Sequence, residues 1–440
     1  MKRNLLPLFV LVLSFGLWSC NDQCKETRVT RRLTPYTRTM ADIRSSVKME
    51  QSHVMKRPGK LYTKGHYLFI NEIKQGIHVI DNSNPSNPAF VAFIAIPGNG
   101  DLAVRGNILY ADSYTDLVAL DITDPENAKE LGRVKNVFQS GQFDGAWWQI
   151  NTVNGSVWDS EDAVLQDFTV DFVTETITTN CEENGVIPWG GGIFFAFNDV
   201  ASFSKSSGSA AAASSNNSNG NGQSGSMARF ALDKNFLYTV SQTSLHLFNI
   251  SKPEQPVNST EINLGRSIET IFPYNNKLFI GSANGMYIYD NTDPAKPTQL
   301  SVFQHGTACD PVVVDNDIAY VTLRTGTNCG GAQNQMDLVD VSDPTSPKLI
   351  RTYQMQNPHG LSIDFPNLYL CEGEFGLKVF NAIDKMAIDK NLVSHFKDID
   401  AYDVISLGKT LLLIGKDGFY QYDSSDPKNL RLLSKIPVQL

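Results

Sequence analysis

The feature that most constrains this chain is one short pattern written seven times. It reads Gly76-IHVIDNSNP, Asp116-LVALDITDP, Ser244-LHLFNISKP, Gly285-MYIYDNTDP, Gln335-MDLVDVSDP, Gly376-LKVFNAIDK and Gly418-FYQYDSSDP. Each copy is a short apolar run ending in Asp or Asn, then a polar turn, then a further run. The anchors Asp81, Asp121, Asn249, Asp290, Asp340, Asn381 and Asp423 lie 40, 128, 41, 50, 41 and 42 residues apart. Upstream of most copies stand two more apolar runs around a tight polar tip, as in Leu102-AVRGNILYAD and Val404-ISLGKTLLLIG. Asn, Gly, Asp and Lys at such tips supply hairpin geometry, so each unit predicts four antiparallel strands.

Four strands at a period near forty are the blade of a β-propeller. The Asp-Pro turn ends the third strand because proline cannot donate to the ladder, while the preceding Asp bonds the turn backbone. These carboxylates are therefore read as structural. The units resemble LVIVD repeats, best in Leu338-VDVSDPTSPKLI and Leu117-VALDITDPENAKELG, over about residues 58–138 and 227–440. Unit six departs in lacking the Asp-Pro pair. The resemblance implies a propeller in an extracytoplasmic setting and no dependable activity. The expected fold is all-β: a seven-bladed β-propeller over 58–440, interrupted by an insertion at 139–226 between blades two and three.

The N-terminus carries Lys2 and Arg3, the apolar run Leu5 to Leu17 and a small residue, Ser19, before Cys20. This is a secretion signal over residues 1–19, too short to span a membrane. Leu17-Trp18-Ser19-Cys20 resembles a bacterial lipobox, although Trp18 stands where a small residue is usual; the resemblance implies lipidation at Cys20 and a palmitate-bearing anchor. No later stretch reaches the length of a spanning helix.

 The tether, 20–57, leads into a basic stretch: residues 20–64 hold 11 basic and four acidic side chains, against a net charge of −9 for the whole chain. The body is thus strongly acidic, which argues against a phosphate-backbone partner. The basic tether suits anionic head groups, a solvated linker or a strap on the acidic body. Cys24, Cys181, Cys309, Cys329 and Cys371 are odd in number and form no C-x-x-C pair. Cys309 and Cys329 flank two adjacent strands of unit five at one edge and are expected to form a disulfide.

The insertion divides into a Trp-rich β-appendage, 139–200, and a Ser/Asn/Gly-rich flexible linker, 201–226. Its Trp147, Trp148, Trp158 and Trp189 serve either as a small aromatic core or as an exposed stacking surface for a protein or glycan. Because the repeat resumes after residue 226, excision of 139–226 is expected to leave a folded propeller.

The chain lacks G-x-S-x-G, H-E-x-x-H, a complete P-loop and a dinucleotide fingerprint. Its seven histidines are scattered, and His78 and His246 read as packed or surface residues. Counting back from the second strand of each unit puts Asp101, Glu269, Asp310, His359 and Asp403 near the start of an inner strand, with Gly59 and Arg229 at the equivalent sites of units one and three. Such a ring at the channel mouth would take a polar ligand or Ca2+. The reading that follows is a non-catalytic binding protein of the bacterial cell envelope, lipid-anchored in the outer membrane, engaging a protein or glycan and no nucleic acid. The alternative is a hydrolase or lyase with an acidic site at the channel mouth.

Overall fold

The computed structural model describes residues 23–143, 145–151, 163–180, 210–211, 223–226, 228–265, 268–306, 311–325 and 333–438. Cys20, Trp158, Cys181, Trp189, Cys309, Asp310 and Cys329, with the signal segment and the expected disulfide, lie outside them. The chain divides into two compact units. The smaller comprises Met1–Pro35 and Thr169–Ser202; there the Thr30 hydroxyl donates to the Val173 carbonyl (3.3 Å) and the Thr169 hydroxyl to that of Thr34 (3.4 Å). The larger comprises Tyr36–Phe168 and Phe203–Leu440 and holds everything that follows.

The larger unit is all-β, built of propeller-like antiparallel sheets. Four-strand meanders occupy 58–95, 102–134, 230–263, 268–304, 312–354, 361–396 and 401–437, one for each copy of the sequence pattern. The third strand of a meander is buried on both faces, as in Gly76–Asp81 and Gln335–Asp340, because neighbouring sheets cover it from either side. That is why these strands read as continuous apolar runs instead of alternating ones. The first strands of successive meanders neighbour one another in chain order. One hydrophobic cluster joins the first meander (Leu61, Leu68, Ile70) to the last (Ile405, Leu412, Phe419).

The turn chemistry is uniform. All seven anchors accept the main-chain N–H two residues on, at 2.8–3.3 Å, whether the anchor is Asp or Asn. In six of the turns, residue i+4 then offers its carbonyl to the preceding meander. Tyr110 donates to Pro253, Tyr238 to Pro294, Ser301 to Pro344, Tyr353 to Lys385 and Ser394 to Pro427, at 2.6–2.8 Å, and Gln421 to Pro85 at 3.3 Å. Unit six, without its proline, keeps the bond through Lys385. Every fourth strand also carries a register shift against the third, at Glu130/Gly132 for example, which bends the outer edge.

The tether and the end of the insertion both join unit one, whose sheet has seven strands. Tether residues Lys48–Glu50 pair with its outer strand through Lys48 and Ala95. Gln223–Ser226 pair with its inner strand through Gln223 and Thr63, and also neighbour Ala401–Leu407. The end of the stretch expected as flexible linker is thus strand, and Ser226 is fully buried. The tether likewise is a strap: its helix Met40–Ser45, capped by Thr39, sends Arg44 to the buried carboxylate of Asp116 at 2.8 Å. Arg133 reaches the same carboxylate at 3.0 Å. Although burial opposes it, the Arg44 guanidinium, the Asn136 N–H and the Thr115 hydroxyl hold the Asp116 carboxyl below its ordinary value.

Candidate binding site

The inner-strand starts do gather ionisable groups, in two clusters. The first centres on Lys60, one residue beyond the expected Gly59. Lys60 is buried, and burial pushes its ammonium down to about 8 although Asp101 and Asp403 oppose the shift. Asp101 accepts the main-chain N–H of Arg229 (2.7 Å) and of Leu102 (2.7 Å). Asp112 accepts those of Gly100 (2.7 Å) and Asp101 (3.0 Å). Asp403 accepts the Ser226 hydroxyl (3.0 Å), whose oxygen in turn receives the Leu361 N–H (2.7 Å). Burial raises Asp101, lifts Asp112 to about 6 and lifts Asp403 to about 7. These carboxylates staple strand starts together, and a lysine supplies the positive charge that the expected ring of acids was to draw from solution.

The second cluster centres on Arg324, buried and pushed down to about 10 by desolvation, with Glu269 opposing. Its guanidinium donates to His359 Nε2 at 2.9 Å, and the His359 ring lies 5.3 Å from that of Tyr402. A guanidinium only donates, so Nε2 accepts and the imidazole proton sits on Nδ1. Of the five expected channel-mouth residues, Asp101 and Asp403 therefore share Lys60, while Glu269 and His359 share Arg324. Lys60 and Arg324 escaped the sequence reading because it counted ionisable groups at a fixed offset, and both cations lie away from that count.

Within the larger unit, the described start of the Trp-rich stretch forms antiparallel strands Ser140–Phe143 and Ala146–Asn151, the second pairing with residues 164–166. Alternation separates the two tryptophans that were read together. Trp148 is 3 % exposed, lies across Gly141 and meets the Tyr114 ring edge-on at 5.5 Å. On the same face Asp167 is fully buried: it accepts Tyr36 and Tyr114 hydroxyls at 2.9 Å and pairs with Lys74 at 2.9 Å. Tether, insertion and the first two meanders meet at this carboxylate. Trp147 points the other way and is 47 % exposed. Opposite it stands Gln142, and beyond it on that face come Gln149, Asn151 and Gln166, with Asn151 donating to Gln166 at 2.9 Å. An indole set among uncharged amides suits a neutral partner rich in hydroxyl or peptide groups.

Comparison with known proteins identifies the repeat type. The LVIVD repeat family is matched at residues 60–94, 99–136 and 328–355. No curated protein matches the sequence. Among solved structures, the computationally designed protein Ika8 is 9 % identical at a TM-score of 0.48, over 88 % of this chain and 90 % of that one. BamB from Moraxella catarrhalis is 6 % identical at 0.46, over 89 % and 97 %. Hsv2 from Kluyveromyces lactis is 11 % identical at 0.45, over 86 % and 98 %. The chain thus carries LVIVD repeats at three stretches, and the same anchored turn recurs in four further meanders.

Proposed function

We propose that the protein is a non-catalytic binding protein of the bacterial cell envelope, a seven-bladed β-propeller anchored through lipid on Cys20, which holds a protein or glycan partner on the insertion. The observation that carries this reading is the half-exposed Trp147 among Gln142, Gln149, Asn151 and Gln166. A flat aromatic ring stacks on a sugar or peptide plane while amides satisfy the partner's polar groups. The central acids support binding over hydrolysis, because the oxygens of Asp101, Asp112 and Asp403 are engaged by strand-start N–H groups and Ser226. Their raised affinity for protons follows from burial, helped at Asp112 by the charge of Asp101, and needs no catalytic task.

The test is titration of the mature chain with neutral oligosaccharides, followed by calorimetry, beside photo-crosslinking from position 147 in cells. Saturable sugar binding lost in Trp147→Ala identifies a glycan; a single discrete protein adduct, lost on moving the crosslinker to position 148, identifies a protein partner. Neither result would leave the insertion face without a binding role. Labelled palmitate incorporated by the native chain and not by Cys20→Ala tests the anchor.

A further inference from the structure

Beside unit one, two separate stretches of chain bring three metal-ligating side chains to one point. Glu72 ends the strand Tyr67–Glu72 and His78 lies within Gly76–Asp81. Ile70 is paired opposite His78, so Glu72, two residues further along, stands on the same face of the sheet. Phe93 of the next strand faces His78, and Glu50 of the tether strand faces Phe93. The chain leaving that strand carries His53 back over the row. Its ring lies 4.3 Å from Phe93 and 4.9 Å from His78.

Both imidazoles address a single carboxylate oxygen. Glu72 Oε2 is 2.6 Å from His78 Nε2 and 3.5 Å from His53 Nε2, and the three donor atoms lie within 4.8 Å of one another. Glu72 and His78 are buried, whereas the His53 side chain is 40 % exposed. His78 Nδ1 is buried without a hydrogen-bond partner among the described residues. One His–Glu hydrogen bond does not account for the second imidazole drawn to the same oxygen. Among the described residues no other set of His, Cys, Asp and Glu is gathered this tightly.

We propose that His53, Glu72 and His78 bind a divalent transition-metal ion of the zinc class. Two imidazole nitrogens and one carboxylate are a zinc-type donor set, while calcium and magnesium take oxygen ligands. Bond lengths of about 2.0–2.2 Å in a tetrahedral site put donors about 3.3–3.5 Å apart. The His53–Glu72 separation already meets that spacing, and the ion replaces the proton shared by His78 and Glu72. The sheet fixes Glu72 and His78, and the exposed His53 adjusts to close the site. The bound ion would cross-link the strap to unit one and leave a fourth position toward solvent for water. Sequence spacing hides the site because His53 arrives from the tether and the sheet contributes the other two.

The experiment uses the mature chain, stripped with chelator and titrated with ZnCl2 by calorimetry, then with Co2+ to read the visible bands of a tetrahedral ion. One ion per chain is expected. Affinity should fall by about a hundredfold or more in His53→Ala and in Glu72→Gln, since loss of an outer-shell partner alone costs about 10–100-fold. His53→Ala removes an exposed side chain, so its unfolding curve without metal should match the native one. Absence of stoichiometric binding, or undiminished affinity in either variant, overturns the assignment.

Discussion

Gln421 and Asn82 exchange a pair of side-chain hydrogen bonds, at 2.7 and 2.9 Å, across 339 residues of sequence. Gln421 also reaches the Pro85 carbonyl and the Ser434 hydroxyl, and it is fully buried. The first and last meanders are thus joined by polar contacts as well as by their shared apolar cluster. Gln421→Ala should cost about 2–3 kcal/mol, because it strands buried polar groups on both sides. Urea unfolding measures it, and a cost indistinguishable from a surface substitution would disprove the closure role.

Ser226 is a second joint, since its hydroxyl links Asp403 to the Leu361 N–H. Ser226→Ala should lower stability by about 1–3 kcal/mol despite the small change in volume. For the same reason, excision of the whole stretch 139–226 should destabilise the body, contrary to the sequence expectation. A deletion variant with the native melting temperature would contradict this.

The pH dependence of stability has a definite sign. Burial holds Asp403 up to about 7, above its unfolded value of 3.8, so the folded state binds the extra proton between those limits. Its contribution is complete below about pH 4 and is lost as pH rises to about 7. Asp112, lifted to about 6, acts in the same direction over a shorter range. Lys60 is depressed to about 8, so its contribution increases as pH rises from there toward 10.5. Native and Asp403→Asn proteins should therefore diverge most steeply between about pH 5 and 6, with a limiting slope of about 1.4 kcal/mol per pH unit. Parallel stability curves across pH 5–7.5 would exclude this.

Trp148→Ala should cost about 3–5 kcal/mol, as expected for a large ring removed from a packed core. Trp147→Ala should leave stability within about 0.5 kcal/mol of native. Melting temperatures compare the two directly. Equal losses would mean that both rings serve the core.

The seven meanders were legible because anchor, turn and third strand repeat at a fixed local spacing, and the anchors' role as turn acceptors follows from Asp or Asn at each one. The partners of those turns were not legible. That Tyr110 finds Pro253, or Arg44 finds Asp116, depends on contacts between distant stretches that no local pattern encodes. The offset that located Asp101 and Asp403 also missed Lys60, because a strand-start count specifies position without saying which neighbouring charge a buried carboxylate will meet. Adjacent Trp147 and Trp148 read alike until strand alternation assigned them opposite faces.

The bonds accepted by the turn carbonyls carry an evolutionary consequence. A main-chain carbonyl is present whatever the side chain, so Pro253 and Lys385 are equally able to receive a neighbour's hydroxyl. Mutational drift in the turn therefore leaves the joint intact, provided an Asp or Asn still sets the bend. Units three, four, six and seven lie outside the matched stretches of the repeat family and nevertheless keep the same joint. In such a protein, the joint between neighbouring units is set by the backbone more than by the letters of the repeat.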